Sequence, residues 1–171
     1  MNDLETFETK SVIVEQPAHN GVRFRYECES TPSSIPGVNN STITQTYPSV
    51  RIRDYFGNRA MIVVSCVTIE KPFKQHPNQF FDNHNCHNGV YIQLKHYSEN
   101  YFEFENLCIQ YSTRSQLRDR LVLRREMGID PTNGGFDHMK WKPKDFNHNA
   151  IRLCFQVIRL NLKLLSSEKI L

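Results

Sequence analysis

Seven segments of the chain alternate apolar and polar residues with a period near two, the spacing that turns successive side chains to opposite faces of a β-strand. They are rich in β-branched and aromatic residues, and loops that carry Pro, Gly and Asn separate them. Short strands at this spacing are typical of an antiparallel sandwich in which every strand turns one face to a shared core. We predict an all-β fold with strands at Ser11 to Gln16, Val22 to Glu29, Ser49 to Tyr55, Ala60 to Glu70, Gly89 to Tyr97, Asn100 to Tyr111 and Ala150 to Leu160.

One segment breaks this rhythm and predicts an inserted helix around residues 113–127. Thr113 followed three residues later by Gln116 fits a capping box, and a glycine and a proline supply a stop. Leu117 and Leu121 lie four residues apart and share one helix face. The predicted helix face carries five arginines against two acidic residues: Arg114, Arg118, Arg120, Arg124 and Arg125 against Asp119 and Glu126.

This basic helix has two interpretations. It is either a solvated face packed on the sandwich through its leucines, or a phosphate site, because backbone N–H groups at a helix start favour anions. Residues 132–149 are the most loop-like part of the chain and predict a long surface connection. That connection carries a further basic patch of lower specificity, at Lys140, Lys142 and Lys144.

Composition and charge narrow the class of protein. A chain of 171 residues suits one domain, and 39% hydrophobic with 23% charged residues indicates a globular rather than a disordered chain. With a net charge of only +3, an anionic partner must be met by a local patch. No apolar run approaches the ~20 residues of a membrane span, and five scattered cysteines without a C-x-x-C pair predict reduced thiols in the cytosol or nucleus.

The stretch "VRFRYECE" is the strongest candidate for a binding site. As a strand it places Arg25 and Glu29 on one face and Tyr26 and Cys28 on the other. That pattern fits a charge-balanced solvated edge. It equally fits a reader of DNA bases, since two arginines about 7 Å apart can each fork onto guanine O6 and N7 while a glutamate accepts from cytosine N4. The second interpretation requires arginines that project freely from the end of the sandwich.

A metal site and an enzyme are both disfavoured. His76, His84, Cys86 and His87 are possible zinc donors, but no second pair follows at the spacing of structural zinc sites. The sequence contains no glycine-rich phosphate loop or nucleophile elbow, and no base can be assigned to the Cys28 thiol. We therefore predict no metal, no cofactor, no small-molecule substrate and no catalytic residue.

Several short motifs occur together in a characteristic order. The stretches "RFRYECE", "SIPG", "YPSV", "LCIQ" and "NAIRLCFQV" resemble, in order and spacing, the N-terminal DNA-binding domain of the Rel homology region of NF-κB/Rel/Dorsal transcription factors. The similarity runs from about Ile13 to Val157. It implies an immunoglobulin-like β-sandwich whose end loops grip the major groove of double-stranded DNA at G-rich, κB-like half-sites.

The resemblance also implies roles for single residues. The family's base readers match Arg23, Arg25 and Glu29, and its contacts to the sugar-phosphate backbone match Tyr26 and Cys28. The basic pair before the inserted helix matches Thr113 and Arg114, so one cation stands where the family usually has two. Thr31 stands where an arginine is often found, and both departures should weaken binding or change the flanking bases preferred.

The resemblance divides the chain into an N-terminal extension at 1–12, a Rel homology DNA-binding domain at 13–157 and a divergent tail at 158–171. For the family it implies regulation of RNA polymerase II transcription in immune or developmental signalling, in the nucleus and cytoplasm. It also implies Rel dimer partners and ankyrin-repeat inhibitors, although we expect this chain to lack the dimerisation domain and a basic localisation run. The alternative is a truncated, non-activating form that competes for DNA sites or engages proteins without productive DNA binding.

Overall fold

The computed structural model describes most of the chain. Arg23 and Cys28, both predicted to contact DNA, lie outside the described residues, as do Thr31, most of the N-terminal extension and most of the C-terminal tail. The described residues are 11–20, 22, 24–26, 29, 33–53, 59–81, 84–95, 100–140, 142–145 and 147–160.

Antiparallel strands make up most of the regular secondary structure in the described residues. They are β1 (Ser11–Glu15), β2 (Ser49–Ile52), β3 (Arg59–Val67), β4 (Gln79–Phe81), β5 (Cys86–His87), β6 (Val90–Lys95), β7 (Tyr101–Glu103), β8 (Cys108–Gln110) and β9 (Arg152–Leu160). Three form a sheet in the order β1-β2-β7, four form a sheet in the order β5-β6-β3-β9, and β4 pairs with β8. Every pair of these strands is antiparallel, which confirms the predicted all-β antiparallel architecture.

The sheets share one apolar core. On β2, Val50 and Ile52 are buried while Arg51 between them is exposed, as the period of two requires. Side chains of β3, β6, β7 and β8 join the same cluster, together with buried residues of the connecting loops. Phe104 lies near its centre, with its ring centroid 5.4 Å from that of Tyr91 and 5.2 Å from that of Phe155.

Two strand predictions need correction, and two short strands were not predicted. The segment Asn100 to Tyr111 is not one strand, because a turn at residues 105–106 separates β7 from β8. Val22 to Glu29 is not a regular strand in its described part, where Arg25 alone forms an isolated bridge, a parallel one to Gln110. The short strands β4 and β5 were not predicted, since two or three residues show no usable alternation.

The inserted helix, α1, spans Leu117–Glu126 and therefore begins later than the prediction. The Thr113 N–H donates to Gln116 Oε1 at 3.0 Å and the Gln116 N–H donates to the Thr113 carbonyl at 3.0 Å, so the capping contacts close a turn ahead of the helix. The helix ends before Gly128, whose φ of 67° is the left-handed conformation common at helix ends. No helix in the described part of the chain is long and apolar enough to cross a membrane.

One arginine of the predicted basic face is misassigned. Arg124 is fully buried, because it follows Leu117 and Leu121 by seven and three residues and shares their inward face. Arg118 and Arg125 remain exposed. The connection after α1 runs over the surface as predicted and includes short 3-10 helices at Asp137–Lys140 and Pro143–Asp145.

Candidate functional site

The segment around Arg25 is attached to β8 by backbone contacts. The Arg25 N–H donates to the Ile109 carbonyl at 3.2 Å, and the Tyr111 N–H donates to the Arg25 carbonyl at 2.7 Å. Phe24 packs against the apolar core, whereas Tyr26 is 49% exposed. The chain therefore leaves the core between these two side chains, and Tyr26 does not share the core-facing side that a strand would have given it.

A tight turn follows and holds Glu29 beside Arg25. The Tyr26 N–H donates to Glu29 Oε2 at 2.7 Å, and the Glu29 N–H donates to the Tyr26 carbonyl at 3.0 Å. Arg25 Nη1 lies 3.4 Å from Glu29 Oε1, and Arg25 Nη2 donates to Ser33 Oγ at 3.1 Å. The side chains of Arg25 and Glu29 are 25% and 23% exposed.

The base-reader interpretation required Arg25 to project freely, and the structure shows that it does not. Its guanidinium is oriented by the Glu29 carboxylate and the Ser33 hydroxyl. A guanidinium has five N–H donors, so these two contacts leave others available. Its Nε has no hydrogen-bond partner among the described residues. The result is a half-buried donor and acceptor pair, fixed in place but with hydrogen-bonding capacity left over.

Aromatic contacts connect this turn to the approach to α1. The ring centroids of Tyr26 and Tyr111 are 5.1 Å apart, so Tyr26 lies against the segment that leads to Thr113 and Arg114. Arg114 is exposed and forms no ion pair or hydrogen bond with any residue in the described ranges. The Thr113 hydroxyl donates to Gln116 Oε1 at 2.9 Å, so its proton is already used within the protein.

A buried polar chain supports the same segment from behind. Arg120 of α1 donates to Gln79 Oε1, and Gln79 Nε2 in turn donates to Gln110 Oε1. Gln110 is the β8 residue that Arg25 bridges. Helix α1 is therefore tied through two glutamine side chains to the strand that positions Arg25.

Arg124 anchors the other side of α1. Its Nη1 donates to the His76 carbonyl and its Nη2 donates to the Asn78 carbonyl at 2.8 Å. Burial is the largest cause that lowers the pKa of Arg124, to about 10, so the guanidinium stays charged at neutral pH. Burial likewise raises the pKa of the neighbouring Cys66 thiol to about 12, which keeps it protonated and unreactive.

Asn78 and His76 join three distant segments. Asn78 Oδ1 accepts from the Ser112 N–H at 3.1 Å, and Asn78 Nδ2 donates to the His148 carbonyl at 3.1 Å. His76 Nδ1 accepts from the Asn78 N–H at 3.0 Å, so its Nε2 carries the proton and lies 3.1 Å from the Asn147 carbonyl. Both ring nitrogens of this candidate zinc donor are thus engaged, and no group of three His, Cys, Asp or Glu side chains in the described part of the chain is placed to hold a metal ion.

The structure brings some predicted site residues together and leaves others apart. Arg25, Tyr26 and Glu29 form one turn, which contacts Tyr111 next to the Thr113 and Arg114 segment. The three lysines lie on the separate connection after α1, and all are exposed: Lys140, Lys142 and Lys144. The supporting side chains were missed for two reasons. Asn78 and Gln79 lie in a polar stretch outside the predicted strands, and Gln110 lies in a predicted strand whose pattern does not show that its polar side chain is buried.

A comparison with known protein families agrees with the sequence motifs and the sandwich fold. The Rel homology DNA-binding domain family matches residues 12–164. The chain belongs to this family. Embryonic polarity protein dorsal of Drosophila melanogaster is 42% identical over 147 residues, which cover 85% of this chain and 14% of dorsal. Proto-oncogene c-Rel of Homo sapiens is 33% identical over 146 residues, which cover 85% of this chain and 23% of c-Rel. The Rel homology domain described here thus spans less than a quarter of either relative.

A solved structure shows the same architecture. The Dorsal homologue Gambif1 bound to DNA superposes with a TM-score of 0.80 at 41% identity, covering 86% of this chain and 84% of Gambif1. This likeness confirms the predicted Rel-type β-sandwich and the family resemblance. It also places the chain in a family of DNA-binding proteins and not of enzymes. The domain boundaries at 13 and 157 and the roles of single residues stay predictions.

Proposed function

We propose that this Rel homology domain recognises G-rich, κB-like half-sites in double-stranded DNA by placing the Arg25 to Glu29 turn in the major groove. The observation that carries the proposal is the Arg25 and Glu29 pair, whose side chains are 25% and 23% exposed, lie 3.4 Å apart and are held by a tight turn. The 41% identical Gambif1, which is bound to DNA, supports a DNA partner for this domain.

The chemistry of the pair suits a G·C base pair. A guanidinium donates to guanine O6 and N7, and a carboxylate accepts from the N4 amino group of the paired cytosine. Since Glu29 and Ser33 already orient the Arg25 side chain, less rotamer freedom is lost when DNA binds. Arg23, outside the described residues, is proposed to read the neighbouring guanine.

The flanking residues are proposed to hold the DNA backbone. Tyr26 is exposed next to the turn, and Arg114 is exposed just ahead of α1, where backbone N–H groups also favour phosphate. Cys28, outside the described residues, shares this role. Thr113 acts mainly by closing the turn that places Arg114, because its hydroxyl proton is already donated to Gln116.

The exposed lysines on the connection after α1 add to this cationic surface. Lys142 and Lys144 are proposed as weaker backbone contacts, whose long side chains attract phosphate without reading sequence. Lys140 was predicted to act in the same way. In the structure it also lines a pocket against α1.

At the level of the whole protein, we infer a role in RNA polymerase II transcription regulation in Rel-type immune or developmental signalling. The relatives that support this include embryonic polarity protein dorsal and transcription factor p65 of Gallus gallus. Location in the nucleus and cytoplasm, Rel dimer partners and ankyrin-repeat inhibitors belong to the same inference.

Binding of labelled duplexes over a range of salt concentrations tests the assignment. Arg25→Ala should lose about 1 to 3 kcal/mol on a G-rich half-site and little on a random duplex. Arg114→Ala should weaken both duplexes alike and reduce the salt slope by about one unit. Arg51→Ala, exposed on β2, is the control and should leave both affinities unchanged. Equal losses on both duplexes for Arg25→Ala would show that Arg25 does not read bases.

A further inference from the structure

Helix α1 and the 3-10 helix Asp137–Lys140 line an open pocket that the proposed DNA contacts do not use. Its volume is about 600 Å³, and its described lining consists of Arg118, Arg125, Phe136, Asp137 and Lys140. Arg118 and Arg125 are seven residues apart, so they lie on the same side of α1 about 10 Å from each other. Lys140 comes from the opposite wall.

The positive charge of this pocket is not balanced by the protein around it. Arg118, Arg125 and Lys140 are exposed, and none of them forms an ion pair or hydrogen bond with a residue that the structure describes. Asp137 is the single carboxylate in the described lining. Three converging cations against one anion in a concave site attract a negatively charged ligand.

We propose that this pocket binds an acidic segment of a partner protein. Carboxylates of that segment pair with Arg118, Arg125 and Lys140, where an arginine can accept a carboxylate in bidentate geometry. An apolar side chain of the segment packs on Phe136, which is half-buried in the lining. Sequences that alternate acidic and hydrophobic residues have this composition.

Three features favour a peptide over an extension of the DNA contact. A volume near 600 Å³ matches a site for a few side chains, whereas a duplex presents a broad convex surface. The Asp137 carboxylate can accept an N–H of a peptide main chain, a donor that a phosphodiester does not have. Arg125 also lies about 12 Å along α1 from Leu117, at the end of the helix remote from Arg114.

Fluorescence anisotropy with a labelled peptide of alternating Glu with Phe and Leu tests the proposal on the intact chain. We expect binding of this peptide and none of the same peptide with Gln in place of Glu. Arg118→Gln, Arg125→Gln and Lys140→Gln should each weaken binding about threefold, and Arg118→Gln with Arg125→Gln together about tenfold. Phe136→Ala should weaken this peptide but not an all-Glu peptide.

Two controls separate this proposal from DNA binding and from general electrostatics. Arg51→Gln removes an exposed cation of β2 and should leave peptide binding unchanged. The circular dichroism spectra of all variants should match that of the original protein. The double variant should bind a random duplex within twofold of the original protein. Equal loss of peptide binding for Arg51→Gln, or a loss of duplex affinity as large as the loss of peptide affinity, would overturn the proposal. The test does not depend on whether Arg25 reads bases.

Discussion

The interior of this Rel homology domain has two parts with different chemistry. Between the sheets, Phe102, Phe104 and Ile62 pack in a cluster of hydrophobic side chains. Beneath α1, the buried side chains of Arg124 and Asn78 are joined by directional hydrogen bonds to backbone groups of separate segments. Both parts are buried. The first is stabilised by the apolar area removed from water and by close packing, and the second by hydrogen bonds between matched donors and acceptors.

The difference matters because the two kinds of contact fail differently. Apolar burial stabilises roughly in proportion to the area removed from water and tolerates substitutions of similar shape. A buried hydrogen bond adds little net stability, but loss of one partner leaves the other unsatisfied at a cost of about 1 to 3 kcal/mol. The apolar part therefore supplies most of the stability, and the polar part fixes α1 relative to the Arg25 segment.

The largest effect is expected in the apolar part. Phe104→Ala should lower the free energy of unfolding by about 3 to 5 kcal/mol, since the ring is 1% exposed and contacts Tyr91 and Phe155. Urea denaturation measures this directly. Phe81→Ala is the matched control, because Phe81 is 41% exposed and should cost much less. Similar losses for both variants would mean that the packing around Phe104 is not the main source of stability.

A smaller but still large effect is expected for the arginine beneath α1. Arg124→Met removes the donors to the His76 and Asn78 carbonyls and should cost about 2 to 3 kcal/mol, because an apolar side chain cannot satisfy either carbonyl. Arg118→Met, exposed on the same helix, should stay within about 0.5 kcal/mol of the original protein. If thermal and urea denaturation gave equal values for the two variants, the buried arginine would not be a net stabilising group.

Among these three variants, Gln110→Met should have the smallest effect on stability and the clearest effect on the preference for G-rich DNA. Gln110→Met breaks the contact with Gln79 and should cost about 1 to 2 kcal/mol of unfolding free energy. The backbone on either side of Gln110 is hydrogen-bonded to Arg25, so a shift of this strand should displace Arg25. We therefore expect the preference for a G-rich half-site over a random duplex to fall, with an unchanged salt slope. Val63→Ala on β3, buried but remote from Arg25, provides the control. Loss of stability without any loss of preference would show that the polar part serves folding alone.

Local pattern predicted much of the fold and less of the site. The alternation of Val50, Arg51 and Ile52 was enough to place β2 with the correct face inward. The same rule failed for Val22 to Glu29, because the turn bonds of Glu29 to Tyr26 take the chain out of the sheet after Arg25. A strand would place Arg25 and Glu29 on one face but about 13 Å apart. They are 3.4 Å apart because a turn, which alternation does not encode, brings them together.

The family resemblance predicted a role for Arg25 that the local pattern left open, but neither predicted its hydrogen-bond partners. Residue types and spacing left Arg25 either as a solvated edge or as a base reader, and the resemblance favoured the second. It did not indicate that Arg25 is hydrogen-bonded to Ser33, eight residues later, or that α1 supports it through Gln79. Such contacts depend on side-chain geometry, which motif spacing does not contain.

The amino-acid sequence alone determined the antiparallel sandwich, the inserted helix and the family, because alternation, turn residues and motif order are properties of short segments. Tertiary structure alone decided which polar residues are buried. Arg124 meets backbone carbonyls 48 and 46 residues earlier in the chain, and Gln110 meets a side chain 31 residues away. An arginine in a basic helix can be buried only where folding brings hydrogen-bond acceptors from distant segments to it. The local sequence pattern contains no information about those acceptors.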